Sequence, residues 1–325
     1  MPFPFLRLFS VFYRDSIPLL YYLRFTIHDL LVMEIINRRQ RMSSVSRKIR
    51  REQDRTIGLV PTMGALHEGH LSLVREARRM CDVVVVSVFV NPAQFGPTED
   101  YEHYPRDLTK DTAILTDYNV DYIFAPSSEE MYPKDFSTYV NVGGISKPLE
   151  GERRPGHFRG VVTVVSILLN TVRPDFAFFG QKDAQQAVII KRMVRDLAFD
   201  TEIVVLPTVR EDSGLAISSR NLYLSAEEQD SASVIHRGLT KAKEIFKKGE
   251  RHAGKLEEIV RTTIESEPRV RVDYVSVVDA DTLEKLDKLD ERSILIAVAA
   301  YVGKTRLIDN TLLNKAKKDA ATSKG

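Results

Sequence analysis

The stretch TIGLVPTMGALHEGHLSLVREARRM, residues 56–80, decides the fold of this 325-residue chain. Residues 56–60 are a short apolar run, which predicts a buried strand. Residues 69–80 repeat apolar side chains at helical spacing and predict a helix. Between them lie His67, Gly69 and His70. A helix N-terminus offers unpaired backbone N–H groups and the positive end of the helix dipole. Imidazoles beside it can donate hydrogen bonds to an anion, and a glycine lets a flat or charged group come close to the backbone. The plain alternative is that both histidines only cap the helix. Zinc ligation is not expected, because the helical zinc motif spaces its histidines four apart and these are three apart.

Outward from this stretch the pattern repeats. Strand-like runs at 82–90, 121–125, 176–180 and 202–206 alternate with helical stretches at 108–118, 161–172 and 184–197. β-Branched runs separated by helices predict α/β architecture: a Rossmann-like, doubly wound parallel sheet covered on both faces. The run DVVVVSVFV, residues 82–90, is almost wholly apolar, so that strand should be central. After residue 206 the character changes. A loop at 207–220 leads to helical stretches at 226–248 and 254–265, then to strand-like runs at 270–278, 294–299 and 305–308. That order predicts a first domain over 33–207 and a smaller α+β lid domain over 208–312. Residues 1–32 read as an N-terminal extension outside the fold, with Met33 a candidate start, and residues 313–325 as a disordered tail.

Composition narrows the class. Hydrophobic residues make up 43% and charged residues 28%, as in a globular protein with real cores. The single cysteine, Cys81, excludes a disulfide framework and a cysteine zinc site, and fits a reducing cytoplasm. The net charge of +2 is uneven. Residues 1–55 hold 11 Lys+Arg against 5 Asp+Glu, which leaves the body of the chain slightly acidic. Nucleic acid is therefore not an expected partner, and the basic segment 38–55 reads as a solvated helix face. The apolar N-terminal segment is broken by Arg7, Arg14, Asp15, Arg24 and Asp29, so no membrane span is expected.

In open parallel sheets ligands bind beyond the carboxyl ends of the strands. Four unusual loops fall at those ends: residues 61–70, 91–97, 180–186 and 207–221. Lys182 lies between a strand and a helix, where a cation can neutralise phosphate charge, although most lysines are merely solvated. Ser218, Ser219 and Arg220 offer two hydroxyls and a guanidinium in a loop that could close over a triphosphate or could be a plain surface turn. Neither GxxxxGK[ST] nor GxGxxG occurs, so no P-loop or classical dinucleotide site is supported.

Five stretches carry a resemblance: PTMGALHEGH (61–70), NPAQFG (91–96), PGHFRGV (155–161), FFGQKDAQQ (178–186) and VREDSGLAISSRN (209–221). In order and spacing they resemble those of the pantothenate synthetase (pantoate–β-alanine ligase) family, over about residues 34–312. The His-x-Gly-His element also resembles the signature of the wider nucleotidyltransferase superfamily. The resemblance implies an ATP-dependent condensation of (R)-pantoate with β-alanine through a pantoyl adenylate, giving pantothenate, AMP and pyrophosphate. It implies an ATP site at Met63, Gly64, His67, Gly69, His70, Gly180, Gln181, Lys182, Asp183, Val209, Ile217, Ser218, Ser219 and Arg220. Of these, His67, His70, Lys182, Ser218, Ser219 and Arg220 would stabilise charge during the reaction. Gln94 and Gln186 would bind pantoate, with Asn91 and His157 nearby. Mg2+ would arrive with the ATP phosphates, no dedicated metal cage being evident, and the enzyme would be a homodimer. Two departures stand out: Ile217 replaces the usual Met or Leu, and Ala184 a frequent aromatic. The competing readings are a nucleotidyltransferase of the same superfamily that releases a nucleotidylated product, and a non-catalytic nucleotide sensor.

Overall fold

The computed structural model describes residues 33–97 and 99–313. The expectations for residues 1–32 and for the tail beyond Leu313 lie outside the described residues. Six strands form one sheet: β1 (Glu34–Ile36), β2 (Ile57–Thr62), β3 (Val83–Val88), β4 (Tyr122–Phe124), β5 (Phe176–Gly180) and β6 (Glu202–Leu206). Their order is β1-β4-β3-β2-β5-β6 and every pairing is parallel. β3 is interior, as its apolar run requires. The chain winds from β2 outward through β3 and β4, then returns to β5 and β6 on the other side. The switch point is therefore the crevice between β2 and β5.

Helices α1 (Arg39–Glu52), α2 (Glu68–Met80), α3 (Leu108–Thr116), α4 (His157–Val172) and α5 (Ala184–Asp196) cover the sheet. Two core layers result, one containing α1, α4 and α5 and the other α2 and the end of α3. The basic segment is more than a solvated face. α1 buries Met42, Val45, Ser46 and Ile49, and Ser43 donates to the Thr171 carbonyl at the end of α4. Its arginines lie on the opposite, wet side of an amphipathic helix. β1 has too few residues to show any period, and the sequence reading missed it.

β2 runs further than its apolar run suggested. Pro61 and Thr62 belong to the strand and pair with Ser87 and Val88 of β3. Proline is tolerated inside this interior strand because the ladder on its other side has ended, β2 meeting β5 only at Gly58 and Leu59. The same divergence opens the switch-point crevice. α4 begins at His157 rather than 161, since Gly156 takes a left-handed φ of 86° and starts the helix there. α3 stops at Thr116, two residues early.

Beyond β6, α6 (Ala226–Lys247) and α7 (Ala253–Glu265) precede an antiparallel sheet of β7 (Val270–Asp279), β8 (Ile294–Val302) and β9 (Thr305–Leu313) in that order. β9 extends past the expected 308 and includes Leu313, which had been read as the start of the tail. This sheet is buried on both faces. Ile294, Ile296 and Val298 pack with α6 and α7, while Leu295 and Ala297 join the core of the parallel sheet. Double burial explains why β8 reads as an unbroken apolar run rather than an alternating one.

Candidate active site

The turn from β2 to α2 is built around one carboxylate. Asp111 of α3 is buried and accepts from the amides of Ala65 at 3.1 Å and Leu66 at 3.0 Å. Burial holds its carboxyl above the ordinary carboxylate range, against the pull of those two amides. Gly64 takes φ +82°, and a Cβ there would stand 2.8 Å from Asp111 Oδ2. Only glycine lets the carboxylate reach the turn. Thr62 Oγ1 accepts from the Gly64 amide at 3.2 Å and donates to the Ser87 carbonyl at 2.7 Å, tying the turn to β3.

The turn delivers His67 to the N-cap of α2, with His70 inside the first turn. Their rings stack with centroids 4.0 Å apart at 22°. The Nδ1 atoms of both rings are buried without a hydrogen-bond partner. Burial first, and then the Lys182 charge, lowers the His67 pKa to about 4. Burial first, and then His67, lowers that of His70 to about 3. Both imidazoles are thus neutral at pH 7 and offer one N–H each. Gly69 serves this stack directly, since a Cβ there would lie 3.0 Å from the His67 ring.

A cleft of about 230 Å3 opens at the switch point, lined by Met63, His67, Gly69, His70, Gln94, Gln186, Lys182, Asp183, Val209, Ile217, Ser218, Ser219 and Arg220, among others. It adjoins a wider cavity of about 750 Å3 that shares Arg154, Lys182, Asp183, Ser218 and Arg220 and continues between the loops at the sheet's edge and β9. The loops singled out in the sequence therefore converge on one place. Gly180 lies on the cleft wall, and Gln181 turns away from it to meet Asn310. Val161, Val165, Leu168, Phe89 and Phe179 make one wall apolar.

Three residues grouped with the substrate contacts place polar atoms on the protein itself: Gln94, whose Nε2 donates to Met63 Sδ at 3.0 Å, Asn91 and His157. The Asn91 amide donates to Gln94 Oε1 and the Gly160 carbonyl, and its oxygen accepts from Tyr132. His157 Nδ1 donates to the Gln94 carbonyl at 2.8 Å, and its Nε2 faces Arg154 Nη1 at 3.1 Å. A carbonyl only accepts and a guanidinium only donates, so the ring is the neutral Nδ1–H tautomer. Its pKa, lowered by burial and by Arg154 to about 4, agrees. Arg154 is held in turn by Glu99 at 2.6 and 2.8 Å. The chain Glu99, Arg154, His157 supports the backbone of Gln94.

Sequence reading passed over several cleft residues. Glu99, Asp100, Tyr104 and Arg154 all border the cavities. Asp100 accepts from Arg220 at 3.1 Å, and the Tyr104 hydroxyl lies 3.3 Å from Ser219 Oγ. The signal was present in EDYEHYPRD, residues 99–107, a charged and aromatic run too rich for a plain linker. Among the described residues no group of three or more His, Cys, Asp or Glu is placed to hold a metal ion. The carboxylates of Glu99 and Asp100 are committed to arginines, and Asp183 faces Lys182 at 3.4 Å. No described helix is long and apolar enough to cross a membrane.

A doubly wound sheet, stacked neutral histidines at a helix N-terminus and cations across the switch point define an α/β enzyme that handles a phosphorylated substrate. The family model described as pantoate-beta-alanine ligase matches residues 34–312. The pantothenate synthetase of Thermotoga neapolitana is 56% identical over 281 residues, covering 86% of this chain and all of its own. That of Moorella thermoacetica is 55% identical over 263 residues, covering 81% of this chain and 93% of its own. The crystal structure of pantothenate synthetase from Thermus thermophilus superposes with a TM-score of 0.81 at 44% identity, covering 86% of this chain and 99% of that one. A pantoate-beta-alanine ligase from Francisella tularensis, complexed with beta-gamma ATP and beta-alanine, gives 0.71 at 37% identity over 86% of this chain and 98% of that one. The chain belongs to the pantoate-beta-alanine ligase family, enzymes that condense pantoate with β-alanine at the expense of ATP.

Proposed function

We propose that the switch-point cleft activates pantoate as an adenylate, with His67, His70, Lys182, Ser218, Ser219 and Arg220 handling the phosphates. The observation that carries this reading is the pair of stacked, neutral imidazoles at the N-terminus of α2, with Lys182 electrostatically close to both. Two N–H donors and two cations around one cleft suit the charge that develops as pyrophosphate leaves. Because both imidazoles are neutral, they act as hydrogen-bond donors rather than acids. Pyrophosphate needs no proton to depart.

Gln94 and Gln186 take the hydroxyls and carboxylate of pantoate, and the apolar wall takes its paired methyl groups. Val209 and Ile217 flank the adenine, and a side chain branched at Cβ in place of Met or Leu at 217 leaves that contact apolar. Gly69 brings the nucleotide near the backbone as well as freeing the His67 ring. A pantoate carboxylate oxygen attacks the α-phosphorus, and the bond from that phosphorus to the bridging oxygen breaks, releasing pyrophosphate. The β-alanine amine then attacks the acyl carbon, loses a proton, and displaces AMP, which keeps the attacking oxygen. Mg2+ would accompany the ATP phosphates as their counter-ion. We further propose that residues 33–207 and 208–312 act as body and lid, and that the enzyme is a cytoplasmic homodimer.

The test uses isotopes. Labelled pyrophosphate is expected to exchange into ATP with pantoate present and β-alanine absent, and 18O from the pantoate carboxylate is expected in AMP. Exchange that strictly requires β-alanine, with no label in AMP, rejects the adenylate.

A further inference from the structure

We infer that Asp309 and Asn310, adjacent residues of β9, are positioning residues that yoke the two phosphate-handling loops to the C-terminal sheet. Asn310 is 5% exposed, and its amide nitrogen donates to the carbonyls of Gln181 and Lys182, each at 2.9 Å. Its oxygen accepts from Gln181 Nε2 at 3.1 Å. One buried amide thus uses both donors and its acceptor on the short turn Gln181–Asp183 that carries Lys182. Asp309, also 5% exposed, takes a bidentate pair from Arg210 at 2.7 and 2.9 Å. It also accepts from the backbone N–H of Asn310 at 2.8 Å.

Arg210 holds a hairpin. It donates to the Gly214 carbonyl at 3.0 Å, pairs with Ala216 across a bridge, and sits beside the Ile217 amide to Val209 carbonyl bond of 3.0 Å. Ser218, Ser219 and Arg220 leave that hairpin directly. Successive residues of a strand point to opposite faces, so this Asp-Asn pair reaches two loops that lie on different sides of β9. A buried carboxylate and a buried amide are expensive in a small apolar sheet unless fully paired, and these are fully paired on catalytic loops. The C-terminal sheet therefore sets the distance between Lys182 and Arg220. Neither residue touches a substrate in this scheme.

This inference rests on the phosphate roles given above to Lys182 and Arg220. The experiment is a double-mutant cycle in the full chain, read by pyrophosphate exchange. Asn310→Ala is expected to lower the exchange rate at saturation by tenfold or more, with the KM for pantoate within twofold of the parent. In a Lys182→Ala background the same substitution is expected to change the rate by less than twofold. Asp309→Asn is compared in the same way with Arg220→Ala. If Asn310→Ala does not fold, Asn310→Asp replaces it, keeping the acceptor for Gln181 while losing both donors. A full, multiplicative loss in both backgrounds overturns the inference, because a residue that only stabilises the sheet does not act through Lys182. A Lys182→Ala enzyme as fast as the parent rejects instead the role assigned to that lysine.

Discussion

The residue on which the histidine stack depends has no side chain. Gly69 sits in the first turn of α2, where alanine would ordinarily stabilise a helix by about 0.5–1 kcal/mol. A methyl group there meets Cε1 and Nδ1 of His67 at 3.0 Å, tighter than packed side chains tolerate. The ring has to move, and with it the 4.0 Å stack on His70. Gly69→Ala is therefore expected to melt no lower than the parent while its pyrophosphate exchange rate falls at least tenfold. A variant both stable and fully active would show that neither the stack nor close backbone approach matters. Stability and activity separate here because the helix and the site ask different things of one position.

At the level of elements, α3 acts on the β2 to α2 turn from a distance of some 45 residues in sequence, through Asp111. Replacing Asp111 by alanine leaves two amides of a buried turn without acceptors, a loss of about 1–3 kcal/mol. Gly64 and Ala65, both at positive φ, then keep the Thr62 Oγ1 bond to the Gly64 amide but lose the carboxylate that fixes Ala65 and Leu66. Asp111→Ala is expected to lower the melting temperature and, beyond that, the exchange rate measured well below it. Loss of stability with an unchanged rate would confine Asp111 to structure. The sequence made α2 and its histidines legible because strand, turn and helix follow one another without interruption. The four strands β3 to β6 were legible for the same reason: each is a short apolar run, β-branched in β3 and β6 and mainly aromatic in β4 and β5, bounded by turns. Asp111, Arg154 and Asn310 were not legible, because their partners are remote and a polar residue in a helix, bend or strand looks the same whether it faces water or a loop. β1 was missed for want of length, and Pro61 was misassigned because its tolerance depends on a neighbouring strand ending early.

Across the whole molecule the buried histidines link stability to pH. Burial lowers His67, His70 and His157 to about 4, 3 and 4, from an ordinary 6.5. Burial lowers His236 as well, with Arg210 adding to the effect. Below pH 6.5 the unfolded chain takes up protons on these rings that the folded chain refuses. Stability is therefore complete above about pH 7 and declines as the pH falls toward 4, by at most ~1.4 kcal/mol per pH unit for each ring. Asp111, which burial holds above the ordinary carboxylate range, takes up a proton more readily folded than unfolded and offsets a small part of this decline; Glu150 and Asp183 do not. Burial raises Glu150 and Asp183, but Arg306 and Lys182 pull them below the ordinary carboxylate range, so neither takes up a proton ahead of the unfolded chain. Thermal melts at pH 7, 6 and 5 are expected to show a falling midpoint. His157→Gln keeps a donor toward the Gln94 carbonyl and an acceptor toward Arg154 but cannot titrate, so its decline is expected to be shallower. Saturating ATP should flatten the curve further, because a phosphate against His67 and His70 favours their protonated forms and returns to the folded state the protons it had refused. A midpoint flat from pH 7 to 5, or a steeper fall in His157→Gln, would mean that these rings are already charged in the folded enzyme, and their role as neutral donors would fall with that result.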